Sequence, residues 1–211
     1  MDDFEETTEY QPFGTGRFVS FGDIAIGATI ARKMTDRFSA GFTVKFIEET
    51  LDNIHLRNVL IDFGTYYWTG YGSSRFAVSV VNFGTNNEPN GAITFRDGSE
   101  TDQFQDFSPP TIFRVGFAAE LIDNEVNKVT SSIQLNHPND NSENLNLGLE
   151  YWWNKTLALR GGYRANVEEE SFTFGAGVNL PFKQYHLKAD VSYSSFGRLG
   201  NATRLSMNFQ F

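Results

Sequence analysis

The chain has 211 residues, 40% hydrophobic and 15% aromatic, with no cysteine and a formal net charge of -9. No stretch approaches the roughly 20 consecutive apolar residues of a membrane helix, which excludes helical insertion; the lack of cysteine excludes a disulfide framework, a thiolate metal site and a cysteine nucleophile. A mean hydropathy of -0.36 still permits a transmembrane β-barrel, because only every second residue of such a strand faces lipid.

Residues 1 to 20 read as an acidic segment, with Asp2, Asp3, Glu5, Glu6 and Glu9, and residues 21 to 211 as a run of strands. An untidy alternation over 22 to 32 precedes "FSAGFTVKF" at 38 to 46, where Phe38, Ala40, Phe42, Val44 and Phe46 oppose Ser39, Gly41, Thr43 and Lys45. That is the period of two of a strand with one apolar face. Looser versions follow at 58 to 68 and 74 to 82. Clear ones lie at 113 to 121 (Phe113, Val115, Phe117) and 145 to 153 (Leu145, Leu147, Leu149), with less tidy ones at 128 to 136 and 157 to 165. Strands at 172 to 180, 185 to 193 and 203 to 211 complete the pattern. The spacing predicts eleven strands and no helix.

These strands run to the roughly 9 to 11 residues that a tilted strand needs to cross hydrocarbon, against about 5 to 6 in globular sheets. A soluble barrel also alternates, but points its apolar residues inward and covers its outside with charge. The expected fold is therefore all-β, an antiparallel up-and-down transmembrane barrel of outer-membrane type. Connections at 33 to 37, 69 to 74, 122 to 127, 154 to 156 and 181 to 184 are short and are assigned to the periplasmic side. Those at 48 to 57, 83 to 110, 137 to 143, 166 to 170 and 194 to 202 are longer on average and are assigned outside. The external set and the N-terminal segment hold the acidic excess. This serves solubility and repulsion, or bridging through divalent cations to anionic headgroups, or a basic protein partner.

Aromatic residues at strand ends predict a girdle of Tyr67, Trp68, Tyr151, Trp153 and Phe209, with Phe211 closing the chain beside it. The opposite face carries Lys45, Asp62, Arg114, Glu120, Glu150, Arg160, Arg164, Lys188, Asp190 and Arg204. Glu150, Arg160 and Arg164, on neighbouring strands, predict a cross-strand ion-pair network. Tyr66, Trp68 and Trp152 are the aromatics on that face. The glycines of "GAG" at 175 to 177 read as small residues easing strand curvature or packing of the lumen. His55, His137 and His186 are scattered, and no nucleotide-binding, nucleophile-elbow or zinc-binding motif occurs in the sequence. No catalytic residue, metal or cofactor is assigned, and the negative charge argues against nucleic acid.

The stretches "QPFGTGRF" (11 to 18), "RKMTDRFSAGFTVKFIEE" (32 to 49), "LIDFGTYYWTG" (60 to 70), "VSVVNFG" (78 to 84), "LNLGLEYWWNKTLALRGGYR" (145 to 164) and "DVSYSSFGRLGNATRLSMNF" (190 to 209) together resemble the PorV/PorQ family of outer-membrane proteins. That family is related to the FadL-like fatty-acid transporters. "GNATRLS" departs from the Thr-His-Arg that the family often carries there. The resemblance implies a barrel of about fourteen strands, so that this chain is expected to lack an N-terminal part bearing the remaining strands and a secretory signal. It further implies an outer-membrane location and a non-enzymatic role in secretion or surface attachment of cargo through the external loops. Outer-membrane lipid, the barrel-assembly machinery, secretion-system proteins and exported cargo are the implied partners, with Phe211 as the C-terminal assembly signal. Alternatives are a FadL-like transporter of hydrophobic small molecules and a structural barrel.

Overall fold

The computed structural model of the chain describes residues 2–95, 98–167, 171–182 and 185–210. Among these residues, twelve strands form one antiparallel sheet. In chain order they are β1 (Asp2–Glu5), β2 (Phe18–Lys33), β3 (Phe38–Leu51), β4 (Ile54–Trp68), β5 (Arg75–Gly84), β8 (Ile112–Asp123), β9 (Asn127–Pro138), β10 (Asn144–Trp153), β11 (Leu157–Ala165), β12 (Phe172–Phe182), β13 (Tyr185–Ser195) and β14 (Asn201–Gln210). Two further short strands, β6 (Ile93–Thr94) and β7 (Glu100–Thr101), pair as a hairpin inside the connection between β5 and β8. Each strand of the main sheet lies beside its predecessor in sequence. The only helical element among the described residues is a single 3-10 turn, Gly197–Leu199.

Every strand of the expected eleven is present, and the count is corrected to twelve by β1, which pairs with the start of β2 from Asp2↔Phe21 to Glu5↔Phe18. The expected connection at 48 to 57 shrinks to two residues, because β3 runs to Leu51 and β4 starts at Ile54. Asp52 turns the corner at φ 53°, a left-handed conformation that Asp tolerates. The backbone ladder outlasts the hydropathy pattern here, since Glu48, Glu49, His55 and Arg57 belong to paired backbone but not to an apolar face.

The chain divides into two compact units. The first comprises Met1–Ala31, Gly41–Phe63 and Val80–Thr111. Its long connection after β5 is held down by paired backbone bonds: His55 and Asn90 exchange N–H···O bonds at 2.8 and 3.0 Å, and Asn87 and Phe107 at 2.7 and 3.2 Å. The second comprises Arg32–Ala40, Gly64–Ser79 and Ile112–Phe211. There β8 to β14 form a meander in continuous register, broken by a bulge between Glu120 and Ile122. Asn154 and Lys155, at φ 49° and 54°, make the tight turn between β10 and β11, the two positive φ values of a hairpin whose twist matches its strands.

The alternation read from the sequence reappears as exposure, in an inverted sense. On β10, Leu147 and Leu149 are 43% and 52% exposed, and on β14 Leu205 and Met207 are 71% and 65% exposed. Phe42, Val44 and Phe46 on β3 and Phe113, Val115 and Phe117 on β8 are exposed as well. Only Leu60 and Ala158 are buried hydrophobics among the described residues. Burying one such side chain is worth about 1.5 to 3 kcal/mol, and the sheet by itself forgoes that gain on its apolar face. At the bulge Leu121 is left without a register partner, and both it and Ile122, which pairs with Val129, are exposed.

Candidate functional site

The polar face of the second unit is built around Glu120, whose side chain is only 5% exposed. Arg75 Nη1 donates to both of its oxygens, at 2.9 Å to Oε1 and 2.8 Å to Oε2. Lys128 Nζ lies 3.4 Å from Oε1. The Glu120 backbone N–H donates to Ser73 Oγ at 2.8 Å, which anchors the turn before β5 to the bulged end of β8. A carboxylate this far from water persists as a charge only when paired and hydrogen-bonded. The Arg75 guanidinium also lies over the Trp68 ring, 5.3 Å from its centroid.

Register carries the next cluster. Glu120 stands opposite Thr130, Thr130 opposite Glu150 and Glu150 opposite Arg160, a single row over four strands. Arg160 Nε donates to Glu150 Oε2 at 2.6 Å, and Nη1 reaches Asp190 Oδ1 at 2.5 Å. Its guanidinium sits 5.6 Å from the centroid of Trp152. Arg160 is on β11 and Asp190 on β13, so the side chain must cross β12. It does so over Gly177, where an added Cβ would lie 2.2 Å from Asp190 Oδ1 and 3.0 Å from Arg160 Nη1. Arg75, Glu120, Lys128, Trp152, Lys155 and Lys188 border a hollow of about 490 Å3 on this face.

The first unit has its own polar cluster. Lys45 Nζ lies 2.8 Å from Asp62 Oδ1, which also accepts the Asn82 backbone N–H at 2.8 Å. Asn82 takes φ 59° within β5, and its carbonyl accepts Thr111 Oγ1 at 2.9 Å, so the strand's kink is tied to the far end of the long connection. Asn58, 8% exposed, donates to the Thr85 carbonyl at 3.0 Å and to Asn87 Oδ1.

The structure brings together Glu150, Arg160 and Asp190, but gives Arg164 a different partner: its Nε donates to Asn146 Oδ1 at 3.1 Å. Arg114 stands opposite Asn136 on β9. Lys188 borders the hollow, and Arg204 faces Ser192 across β13 and β14. Sequence reasoning missed Arg75 and Lys128, the partners of Glu120, and Asn82, the second partner of Asp62. Each lies on a neighbouring strand at a level that only the register reveals.

Among the aromatics, Tyr67 packs on Phe76 at 5.3 Å between ring centroids, and Tyr151 donates its hydroxyl to Asn127 Oδ1 at 2.7 Å. Trp153 and Phe209 are 51% and 70% exposed. Trp68 stacks edge-on against Tyr66 and lies under Arg75, beside the ion pair of Glu120. The hydrogen-bonded row of Trp153 continues through Leu157, Val178 and Ala189 to Met207, which places Phe209 one outward-facing pair further along. Phe211 lies outside the described residues.

Chemically, the polar face is a set of ion pairs: Glu120 is held by Arg75, and Glu150 and Asp190 share the one guanidinium of Arg160. His137 Nδ1 lies 2.8 Å from Glu143 Oε1 on an exposed strand end, and His55 Nδ1 lies 3.2 Å from Thr50 Oγ1. No protein-family profile matches the chain, and a search of curated proteins finds no match.

Proposed function

We propose that the chain is a transmembrane β-barrel, or the larger part of one, of the PorV/PorQ type in a bacterial outer membrane. In this reading it is non-enzymatic and binds secretion components or exported cargo through its external loops. The observation that carries the reading is the inverted exposure of the strands. Phe, Leu, Val and Met side chains occupy the exposed face, while Glu120 pairs with Arg75, Arg160 with Glu150, and Asp62 with Lys45. Water penalises such a face and hydrocarbon does not. The strands also differ in length in the direction the reading needs. β10 and β11 have 10 and 9 residues, close to a membrane crossing, whereas β2, β3 and β4 have 16, 14 and 15, more than a crossing requires.

A hydrophobe transporter of FadL type is disfavoured by the ion-paired lining around Glu120 and Arg160, which offers an acyl chain little apolar surface. The test of the cargo role is deletion of residues 86 to 106, with the folded barrel checked by its heat-sensitive mobility in detergent gels. Reduced co-purification of exported cargo supports the reading. Full recovery with the deleted loop assigns the chain a structural role instead.

A further inference from the structure

β1 covers only the first part of β2. Its register runs from Asp2↔Phe21 to Glu5↔Phe18, whereas β2 continues to Lys33. Among the described residues, the stretch 22 to 31 therefore has β3 on one side and no strand on the other. Exposure marks the open edge. From Asp23 onward every residue of β2 is exposed, on both faces, while β3, flanked on both sides, alternates. Ile24, Ile26 and Ile30 are 58, 66 and 78% exposed, against 43, 40 and 39% for Phe42, Val44 and Phe46 on β3.

In an antiparallel ladder every second residue turns both its N–H and its C=O to the same side, so this edge offers a row of donors and acceptors. In hydrocarbon such a row would go unsatisfied. Edges that must stay unpaired are blunted with lysine, proline or other charge; "GDIAIGATIA" at 22 to 31 carries one charge, Asp23, and no proline. Thr29 Oγ1 and Thr43 Oγ1 share a hydrogen bond at 2.9 Å across β2 and β3, so the edge is ordered before a partner arrives. We propose that residues 22 to 31 are a docking edge for an extended polypeptide, added antiparallel to β2 with its C-terminal end abutting Asp2. The backbone row specifies a strand as the occupant, and β1 fixes its line and direction. Cross-strand pairing specifies its side chains: apolar beside Ile24, Ile26 and Ile30, small and polar beside Ala25, Gly27 and Thr29. This goes beyond the loop-mediated role proposed above and needs only the edge of β2.

The test uses the full chain in detergent micelles. The chain has no cysteine, so Asp23→Cys and Ala31→Cys each place one bimane fluorophore, at opposite ends of the edge. A peptide of about ten residues alternating threonine with valine, with tryptophan added at one terminus, should bind at least about tenfold more tightly than a glycine–serine peptide of the same length. Tryptophan at its C-terminus should quench the label at position 23, and tryptophan at its N-terminus the label at position 31. Methylating alternate amide nitrogens removes the donors from one edge of the peptide at a time. One of the two methylated forms should bind like the parent and the other at least about tenfold more weakly. Quenching with the ends reversed, equal binding of the two methylated forms, equal binding of the glycine–serine peptide, or dimerisation of the chain through this edge that the peptide does not reverse would each overturn the proposal.

Discussion

Glu120 shows what one residue asks of its surroundings. With its side chain almost wholly withdrawn from solvent, it depends on Arg75, and Lys128 at 3.4 Å is a weaker substitute. Arg75→Ala should destabilise the fold by about 3 kcal/mol, the cost of stranding a buried charge. The double variant with Glu120→Gln should recover part of that loss. Urea unfolding from micelles followed by tryptophan fluorescence gives both numbers; equal midpoints for the single and double variants would refute the pairing argument. Arg160 is about one-third exposed, so its pairs are worth less, about 1 kcal/mol after solvent screening. Gly177 tests the geometry separately. Gly177→Ala should destabilise wild type but much less so in an Asp190→Ala background, because the added methyl collides chiefly with the Asp190 carboxylate. Additive effects would show that the bridge over β12 does not matter.

At the scale of the strand, the period of two located all the long elements because each carries five or so apolar residues on one side. It failed where that reason lapses. Residues 48 to 57 continue the ladder with Glu48, Glu49 and Arg57, so no apolar face marks the strand, and the turn at Asp52 was read as part of a loop. β1 and the β6–β7 hairpin are too short to show a period at all. Faces were legible, levels were not. Trp68 fits both the girdle and the polar face because parity and strand-end position disagree there, and in the structure its ring lies under Arg75. Glu150 and Arg160 could be matched by eye because a short turn sets their register, whereas Arg75 and Glu120 are 45 residues apart. Register also makes a prediction. Leu149→Arg, at the middle of β10's exposed apolar face, should cost about 2 to 4 kcal/mol of folding stability in vesicles, while Thr130→Arg on the polar face should cost far less. Similar losses for both would mean that the two faces meet similar surroundings.

For the molecule as a whole, the central claim is that one face of this sheet meets hydrocarbon and the other does not. The chain carries its own reporters: Trp153 is exposed among apolar side chains, while Trp68 and Trp152 lie against the guanidinium groups of Arg75 and Arg160. Variants retaining one tryptophan each, with the other two replaced by phenylalanine, can be folded into vesicles whose acyl chains are brominated. Bromine quenches only by contact. The account predicts strong quenching of Trp153 and little of Trp68 or Trp152; equal quenching of all three, or none of Trp153, would contradict it.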